Sequence, residues 1–404
     1  MSTLKVNKLR DTAGSTDAIV LDPNGGAVLA GVTTVTSVKV GAAVTISESG
    51  IEASGIGITC ANINGTQIGG RRNIIINGAM QVAQRATSST GDNYKTVDRF
   101  AAWNTSVDEA PTQAQADVSS GTTPYTEGFR KSFKITNGNQ TSDAQAGSRI
   151  FTSHTVEAQD IANSGWNFIN PNSFITLSFW VKSSVAGNFY GYLYNFDGTN
   201  LGYSYETGSL TADTWTKVIK TIPGNSNLSF NNDNGQGLYI VTGVYWGTNY
   251  TDAGNTLNQW GSWSGSSRTP VNATTWYETN DATFEITGVQ LEVGSQATPF
   301  EHRSFGEELT LCQRYFQSYP HDDNTSAEGL RLNGDFSSVY QTPMRAVPTG
   351  VVYGTGGTAG SNNGKYDKDA VGNQNAAIET KGSGFEIDTD GGVGLAAVTL
   401  DAEL

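Results

Sequence analysis

Aromatic side chains are missing from the first ninety positions: none of the eight Trp, sixteen Tyr and sixteen Phe precedes Tyr94. Positive charge is scarce as well, with 24 Lys and Arg against 38 Asp and Glu and a formal net charge of -14. That balance excludes a nucleic-acid binder, which neutralises phosphates with Lys and Arg. It also speaks against anionic membrane surfaces, and no apolar run approaches the roughly twenty residues that span a bilayer. Cys60 and Cys312 are the two cysteines. They lie in different segments, which excludes a disulfide framework and fits folding in a reducing cytosol. The three histidines, His154, His302 and His321, are scattered, so no zinc cluster is expected. There is no P-loop and no Gly-x-Ser-x-Gly elbow. Gly354-Thr355-Gly356-Gly357-Thr358-Ala359 matches a loose dinucleotide fingerprint, but the following Gly360-Ser361-Asn362-Asn363-Gly364 cannot open the helix that a pyrophosphate needs. No charged-then-apolar leader opens the chain, because Leu4–Leu9 alternates like a strand, so synthesis in the cytoplasm is expected.

What is present divides the 404 residues into three parts. Residues 1–72 are rich in Gly, Thr, Val and Ala and nearly balanced in charge, with six Lys and Arg and five Asp and Glu. Short alternating pieces (Ala18–Leu21, Val28-Leu29, Val38/Val40, Val44/Ile46, Ile56/Ile58) predict short strands broken by turns. Burial contributes about 25 cal/mol per Å² of apolar surface, and small side chains supply little of it. This part is therefore expected to draw its core from neighbouring copies, most simply as a homotrimer around an axis. Three Cys60 side chains would then meet near that axis or point outward. The alternative for this segment is a flexible linker.

Residues 73–303 read as one large antiparallel β-sandwich. Ser173–Lys182 alternates, with Ile175, Leu177, Phe179 and Val181 on a core face and Thr176, Ser178, Trp180 and Lys182 on the other. Tyr190, Tyr192, Tyr194 and Phe196 share a face of the next strand, and Leu238–Val244 and Thr283–Leu291 are further strands. Residues 304–404 begin with a helix whose Leu309, Cys312 and Phe316 form one stripe, with acids in its first turn as the helix dipole favours. Strands return at Val339-Tyr340, Gly350–Tyr353, Phe385–Ile387 and Ala396–Leu400, with Gly354–Gly364 a long loop between them. The expected fold is all-β: a short-stranded N-terminal shaft or attachment segment, a jelly-roll sandwich, one linking helix and a small C-terminal β domain.

Three stretches carry a family resemblance: Ser2–Asp11; Gly69-Gly70-Arg71-Arg72-Asn73-Ile74-Ile75-Ile76-Asn77-Gly78-Ala79-Met80-Gln81 through Arg85, with Val97-Asp98-Arg99-Phe100; and Ile286–Gly294 continuing through Ala297-Thr298-Pro299-Phe300-Glu301 to Cys312-Gln313-Arg314-Tyr315-Phe316. Together they resemble the tail-fibre-like virion proteins of tailed bacteriophages, especially those of marine cyanobacteria. Residues 73–303 also resemble jelly-roll carbohydrate-binding modules, through Leu177–Lys182 and Val289-Gln290-Leu291-Glu292. The resemblance implies a trimer in the virion, held to a tail or baseplate protein by residues 1–72, with distal domains that meet a host-surface glycan such as lipopolysaccharide. It supplies no set of binding residues. Similar jelly rolls often hold a Ca²⁺ ion on oxygen ligands, and Asp98 and Asp197 are the acids that such a site would recruit; no other cofactor is implied.

Glycan binding needs an aromatic platform for the C–H face of a pyranose, with amides and carboxylates for its hydroxyls. The candidates are Trp180, the row Tyr190 and Tyr192, and the aromatics of the long polar segment 247–275, Tyr250, Trp260 and Trp263. The opposing reading makes the first three core residues and lets the two tryptophans pin their loop. Polysaccharide hydrolysis would need two carboxylates about 5–10 Å apart; Asp108-Glu109, Asp322-Asp323, Asp388 and Asp390 show no paired spacing, and no enzyme is expected. The competing readings are a purely structural baseplate or capsid-attached fibre and a depolymerase.

Overall fold

The computed structural model describes residues 71–320, 330–333, 336–354, 359–360, 363–366, 374–389 and 392–404, and six short strands before them. The chain forms two compact units, Met1–Ala61 and Asn62–Leu404. In the first, β1 (Lys8–Leu9), β2 (Ile19–Leu21) and β3 (Ala27–Leu29) make one antiparallel sheet. A second is made by β4 (Ser37–Val40), β5 (Val44–Ser47) and β6 (Gly50–Ala53). The alternating Val38/Val40 and Val44/Ile46 fall in β4 and β5, while Ile56, Ile58 and Cys60 lie outside the described residues.

The second unit is built on two six-stranded antiparallel sheets. One contains β7 (Ser88–Ser89), β9 (Thr112–Asp117), β10 (Lys131–Thr136), β12 (Phe174–Ser183), β15 (Thr216–Pro223) and β18 (Thr283–Val293), in the order β15-β12-β18-β10-β9-β7. The other contains β8 (Ala101–Thr105), β11 (Arg149–Glu157), β13 (Gly187–Asn195), β14 (Leu201–Leu210), β16 (Gln236–Trp246) and β17 (Trp260–Ser262), in the order β17-β14-β13-β16-β11-β8. Their facing sides make the main core of a jelly-roll sandwich. Phe133, Ile175, Leu177, Phe179, Val181, Phe284 and Ile286 come from the first sheet, and Ile150, Phe189, Leu193, Tyr203, Tyr205, Leu238 and Ile240 from the second. The period-2 pattern predicted for Ser173–Lys182 is therefore the one that packs. Its other face is not open, however: Thr176 and Ser178 are buried too.

Two short helices, α1 (Thr123–Thr126) and α2 (Ala158–Ala162), interrupt the strands; neither is expected from the sequence pattern. The predicted helix is α3 (Phe305–Gln313). It opens on a capping box, in which the Ser304 hydroxyl accepts from the Glu307 N–H and the Glu307 carboxylate accepts from the Ser304 N–H. It stops short of Phe316, which begins β19 (Phe316–Pro320), so the expected stripe loses its last member. The remaining strands are β20 (Leu330–Asn333), β21 (Phe336–Val339), β22 (Thr349–Gly354), β23 (Ala359–Gly360), β24 (Asn363–Tyr366), β25 (Gln374–Thr380), β26 (Gly384–Thr389) and β27 (Gly392–Asp401). They form two sheets around a small core of Tyr340, Met344, Phe385, Ile387, Val398 and Leu400. The stretch expected as one long loop, Gly354–Gly364, contains β23 and the start of β24.

The C-terminal strands are tied to the sandwich by buried charge. Arg99, fully buried, pairs with Glu403, donates to the Thr155 carbonyl and lies 3.5 Å over the Tyr315 ring. Arg85 pairs with Glu403 at 3.3 Å and Asp401 at 3.1 Å, and its guanidinium lies 3.7 Å over Phe316. Arg314 donates twice to Glu157, at 2.8 Å each, and Tyr315 donates to the same carboxylate at 2.6 Å. Asn77, with a positive φ of 60°, sits beneath this joint. Its amide donates to the Val82 and Asp98 carbonyls, its side-chain oxygen accepts from the Val82 N–H, and its own N–H donates to Glu308. Burial pushes the Asp98 carboxyl up to about 6, against the pull of Arg85 and of hydrogen bonds from Gln84.

Two outcomes follow from the joint. Glu403→Gln leaves the Arg99 charge buried without its counter-charge, which costs about 3 kcal/mol or more, read as a lower urea midpoint. Asp98 has a folded value above its ordinary 3.8. The folded state therefore holds this proton more tightly, and the stabilisation is full below about pH 4 and lost as pH rises through about 6. Asp98→Asn flattens that part of the Tm-against-pH curve relative to the parent protein.

Candidate functional site

The outward face of the β17-β14-β13-β16-β11-β8 sheet carries a continuous aromatic surface. Alternation along β13 sends Phe189 and Leu193 into the core and Tyr190, Tyr192 and Tyr194 outward. On β11 and β8 the same parity turns out Phe151 and Trp103. On β16 it turns out Tyr239 and Val241; then a register shift opposite Ile150/Phe151 re-aims the strand. After that irregularity Tyr245 packs toward the sandwich core and Trp246 joins the outer face. Gly243 is needed there, because a Cβ would overlap the Trp246 indole. Trp246 stacks on Phe151 at 5.1 Å and 20°, and its Nε1 donates to the Tyr190 carbonyl at 3.0 Å.

Phe151, Tyr192 and Trp246 are buried and make the floor. Trp103, Tyr190, Tyr194, Tyr239, Tyr250 and Trp263 are half-buried around it. Trp263 lies 4.7 Å from both Tyr192 and Tyr194 and closes over Gly202, where a Cβ would come within 2.7 Å of its ring. Burial raises the Tyr192, Tyr194 and Tyr239 phenols above their ordinary value, so at neutral pH they are protonated. Trp103 Nε1 donates to Ser153 Oγ at 3.1 Å, which fixes one edge of the surface. Beside Trp263 is a pocket of about 180 Å³ bordered by Ser204, Asn255, Gln259, Ser262 and Arg268. Asn255 donates to the Ser267 carbonyl at 2.9 Å, while its own side-chain oxygen is buried with no donor. Half-buried rings interleaved with amides and hydroxyls suit a ligand with alternating C–H and O–H surfaces.

Of the residues expected to bind, Tyr190, Tyr192, Tyr250 and Trp263 come together here, Tyr192 as floor with 2% exposure. Trp180 is placed elsewhere and is corrected as a platform. It lies on the outer side of the opposite sheet, 7% exposed, against Ala79, Val118 and Phe129, with its Nε1 donating to Glu127 at 3.0 Å. Its strand is covered on both sides, which a single strand's alternation cannot reveal. Trp260 follows the pinning reading: its ring packs 5.4 Å from Tyr203 and its Nε1 donates to the Pro223 carbonyl at 2.7 Å. Sequence reasoning missed Trp103, Phe151, Tyr239 and Trp246, which lie on three strands, β8, β11 and β16, joined only by strand pairing.

The acids considered for other chemistry have structural partners. Asp108 accepts from the backbone N–H of Thr141 and Ser142, and these bonds lower its pKa. Asp98 is held by Arg85 and Gln84, and Asp197 accepts twice from Asn231, so each of the two acids weighed for Ca²⁺ serves the protein itself. Among the described residues no three His, Cys, Asp or Glu side chains converge as a metal site would require. His302 contacts the Glu127 carbonyl at 2.8 Å and packs on Phe129 and Phe300, and His154 is buried against Phe100. Asp322, Asp323, Asp390 and His321, and the side chain of Asp388, lie outside the described residues.

No known sequence family and no curated protein matches the chain. Solved structures do. The enzymatically active domain of tailspike protein 4 from bacteriophage CBA120 matches 55% of this chain and 21% of its own, at 12% identity and a TM-score of 0.29. The CBM22-1-GH10 modules of a Clostridium thermocellum xylanase, complexed with xylohexaose, match 53% of this chain and 28% of their own, at 10% identity and 0.24. A family 11 carbohydrate-binding module from the same organism, in complex with a mixed-linked tetrasaccharide, matches 53% of this chain and 98% of its own, at 12% identity and 0.22. The chain thus spans about a fifth of the tailspike and about a quarter of the xylanase. At these scores the likeness says nothing of what this chain binds.

The two loop tryptophans separate by role. Trp260→Ala removes a half-buried ring packed against the core and its hydrogen bond to the Pro223 carbonyl, and lowers Tm by several degrees, on the order of 2 kcal/mol. Trp263→Ala, at a half-open position, shifts Tm little; differential scanning calorimetry of both variants checks the contrast.

Proposed function

We propose that the protein is a non-enzymatic adhesive component of a phage tail fibre, and that the outer aromatic face of the sandwich binds a host-surface glycan. The observation that carries this reading is Trp263 held half-open above Tyr192 and Tyr194, beside a pocket bordered by amides and hydroxyls. The virion assignment rests on the sequence resemblance set out above. In this reading residues 1–72 attach to a tail or baseplate protein, and three chains associate through that segment. The fibre is assembled in the host cytoplasm and acts from the virion, with lipopolysaccharide as the receptor class. A trimer multiplies a weak site by avidity, roughly 10²–10⁴-fold where geometry allows simultaneous contact.

Two measurements test it. Light scattering behind a sizing column gives three times 42.8 kDa if the fibre reading holds; a clean monomer removes the trimer. Labelled full-length protein adsorbs saturably to cyanobacterial cells and is displaced by their extracted lipopolysaccharide. Trp263→Ala lowers that adsorption about tenfold or more, by loss of one stacked ring at about 1.4 kcal/mol per tenfold. Adsorption that Trp263→Ala leaves unchanged sinks the assignment of this face.

A further inference from the structure

Arginine is where the aromatic face departs from the rest of this acidic chain. Arg149, at the start of β11, lies 4.9 Å over the Tyr250 ring and 5.6 Å over Phe151. Arg268, from the loop after β17, lies 4.7 Å over the same Tyr250 ring, 5.8 Å over Trp263 and 5.9 Å over Trp246. Both are half-buried and held by neutral contacts: Arg149 Nε donates to Thr105 Oγ1 at 3.2 Å, Arg268 Nε donates to the Gly265 carbonyl at 2.9 Å, and the Arg268 guanidinium also hydrogen-bonds the Tyr192 hydroxyl. Among the described residues neither has a carboxylate within 4.0 Å. Arg85, Arg99, Arg303 and Arg314, by contrast, each pair with a carboxylate. A second pocket, of about 220 Å³, is also bordered by arginines, but there Arg314 is committed to Glu157 and Arg303 to Glu308.

The acids nearest the face are engaged by other groups. Asp252 accepts from Ser267 Oγ and the Gly254 N–H, Glu206 from Asn188, and Asp92 from the Asn104 backbone and side chain; of these, Asp92 also lies within electrostatic reach of Arg149, beyond ion-pair distance. Two guanidiniums on one ring, neither in an ion pair, in a protein of net charge -14, are a local positive site against a repulsive background. Such a background suppresses indiscriminate polyanion binding and leaves only anions that fit the site. A guanidinium outside an ion pair is a bidentate receptor for a carboxylate or an oxyanion ester.

We infer that the aromatic face takes an acidic glycan, with Arg149 and Arg268 receiving a carboxylate, sulfate or phosphate substituent while Trp263 and Tyr250 pack on the sugar. This rests on the glycan-binding reading of the same face. A charged group on the ligand sets orientation on a surface whose rings alone discriminate little between sugars.

The test is a printed array of bacterial polysaccharides, neutral members beside members bearing uronate, sulfate ester or phosphate, probed with the full-length protein and with Arg149→Gln and Arg268→Gln. Expected are hits confined to acidic members, weakened by about ten- to a hundredfold in each variant, the range for a lost hydrogen bond to a charged group. Which acidic subset lights up distinguishes carboxylate from sulfate and phosphate. Arg268→Lys keeps the charge without the fork and recovers only part of the binding. Thermal melts establish that each variant is folded, and Arg268, on a loop, serves if Arg149→Gln is not. Hits on neutral members that the variants bind equally well overturn the acidic preference and leave the glycan reading standing. An array with no hits removes both.

Discussion

A fully buried guanidinium must find its counter-charge inside the protein, and Arg99 finds it in Glu403, near the far end of the chain. The desolvation penalty of such a charge is several kcal/mol unless the pairing geometry is good. The surroundings supply that geometry: the Thr155 carbonyl, the Tyr315 ring and, alongside, Arg85 with Asp401 and the same Glu403. Because Thr155 belongs to β11 and Tyr315 follows α3, one side chain fixes the sandwich edge, the helix and the last strand relative to each other. Two of the three sequence stretches that carry the family resemblance meet at this joint. Asn77, Asp98, Arg99, Arg314 and Tyr315 all belong to them, and none lies on the aromatic face. Those two stretches encode part of the scaffold, while the aromatic face is written in residues outside them.

The two outer sides of the sandwich show how one architecture serves opposite ends. Around Trp180 the outer side is sealed by Val118, Phe129 and Phe300. On the other sheet the outer side stays half open, and the loop from β16 to β18 adds to it rather than sealing it. Trp260 anchors that loop by packing against the core, and Trp263, three residues later, lies across the surface. The register shift in β16 does comparable work within the sheet, converting a residue of core parity, Trp246, into the floor of the site.

Much of the sandwich is legible from alternation alone. Ile175, Leu177, Phe179 and Val181 occupy the predicted face, and β13, β16 and β18 fall where the pattern puts them. The helix is legible through its first-turn acids and the Leu309/Cys312 spacing, although its end is not, since Phe316 fits a helical stripe and a strand equally well. The site is half legible. The tyrosine row and Trp263 stand out because aromatics at alternate or loop positions are conspicuous locally. Trp180 misleads, because whether a sheet's second face is covered depends on segments 50 to 120 residues away in sequence, including Glu127 and Phe300. Trp103, Phe151 and Trp246 are silent for the same reason, being assembled only by the pairing of β8, β11 and β16.

The pairing of Arg99 with Glu403 spans 304 positions. A ribosome adds roughly 5–20 residues per second, so a nascent chain that has already exposed Arg99 waits on the order of tens of seconds before its partner is synthesised. During that interval the sandwich strands are present but the guanidinium at their edge must stay hydrated. Until Glu403 has been made, the position that Arg99 occupies holds no counter-charge, so this joint closes only after the sandwich strands have been synthesised.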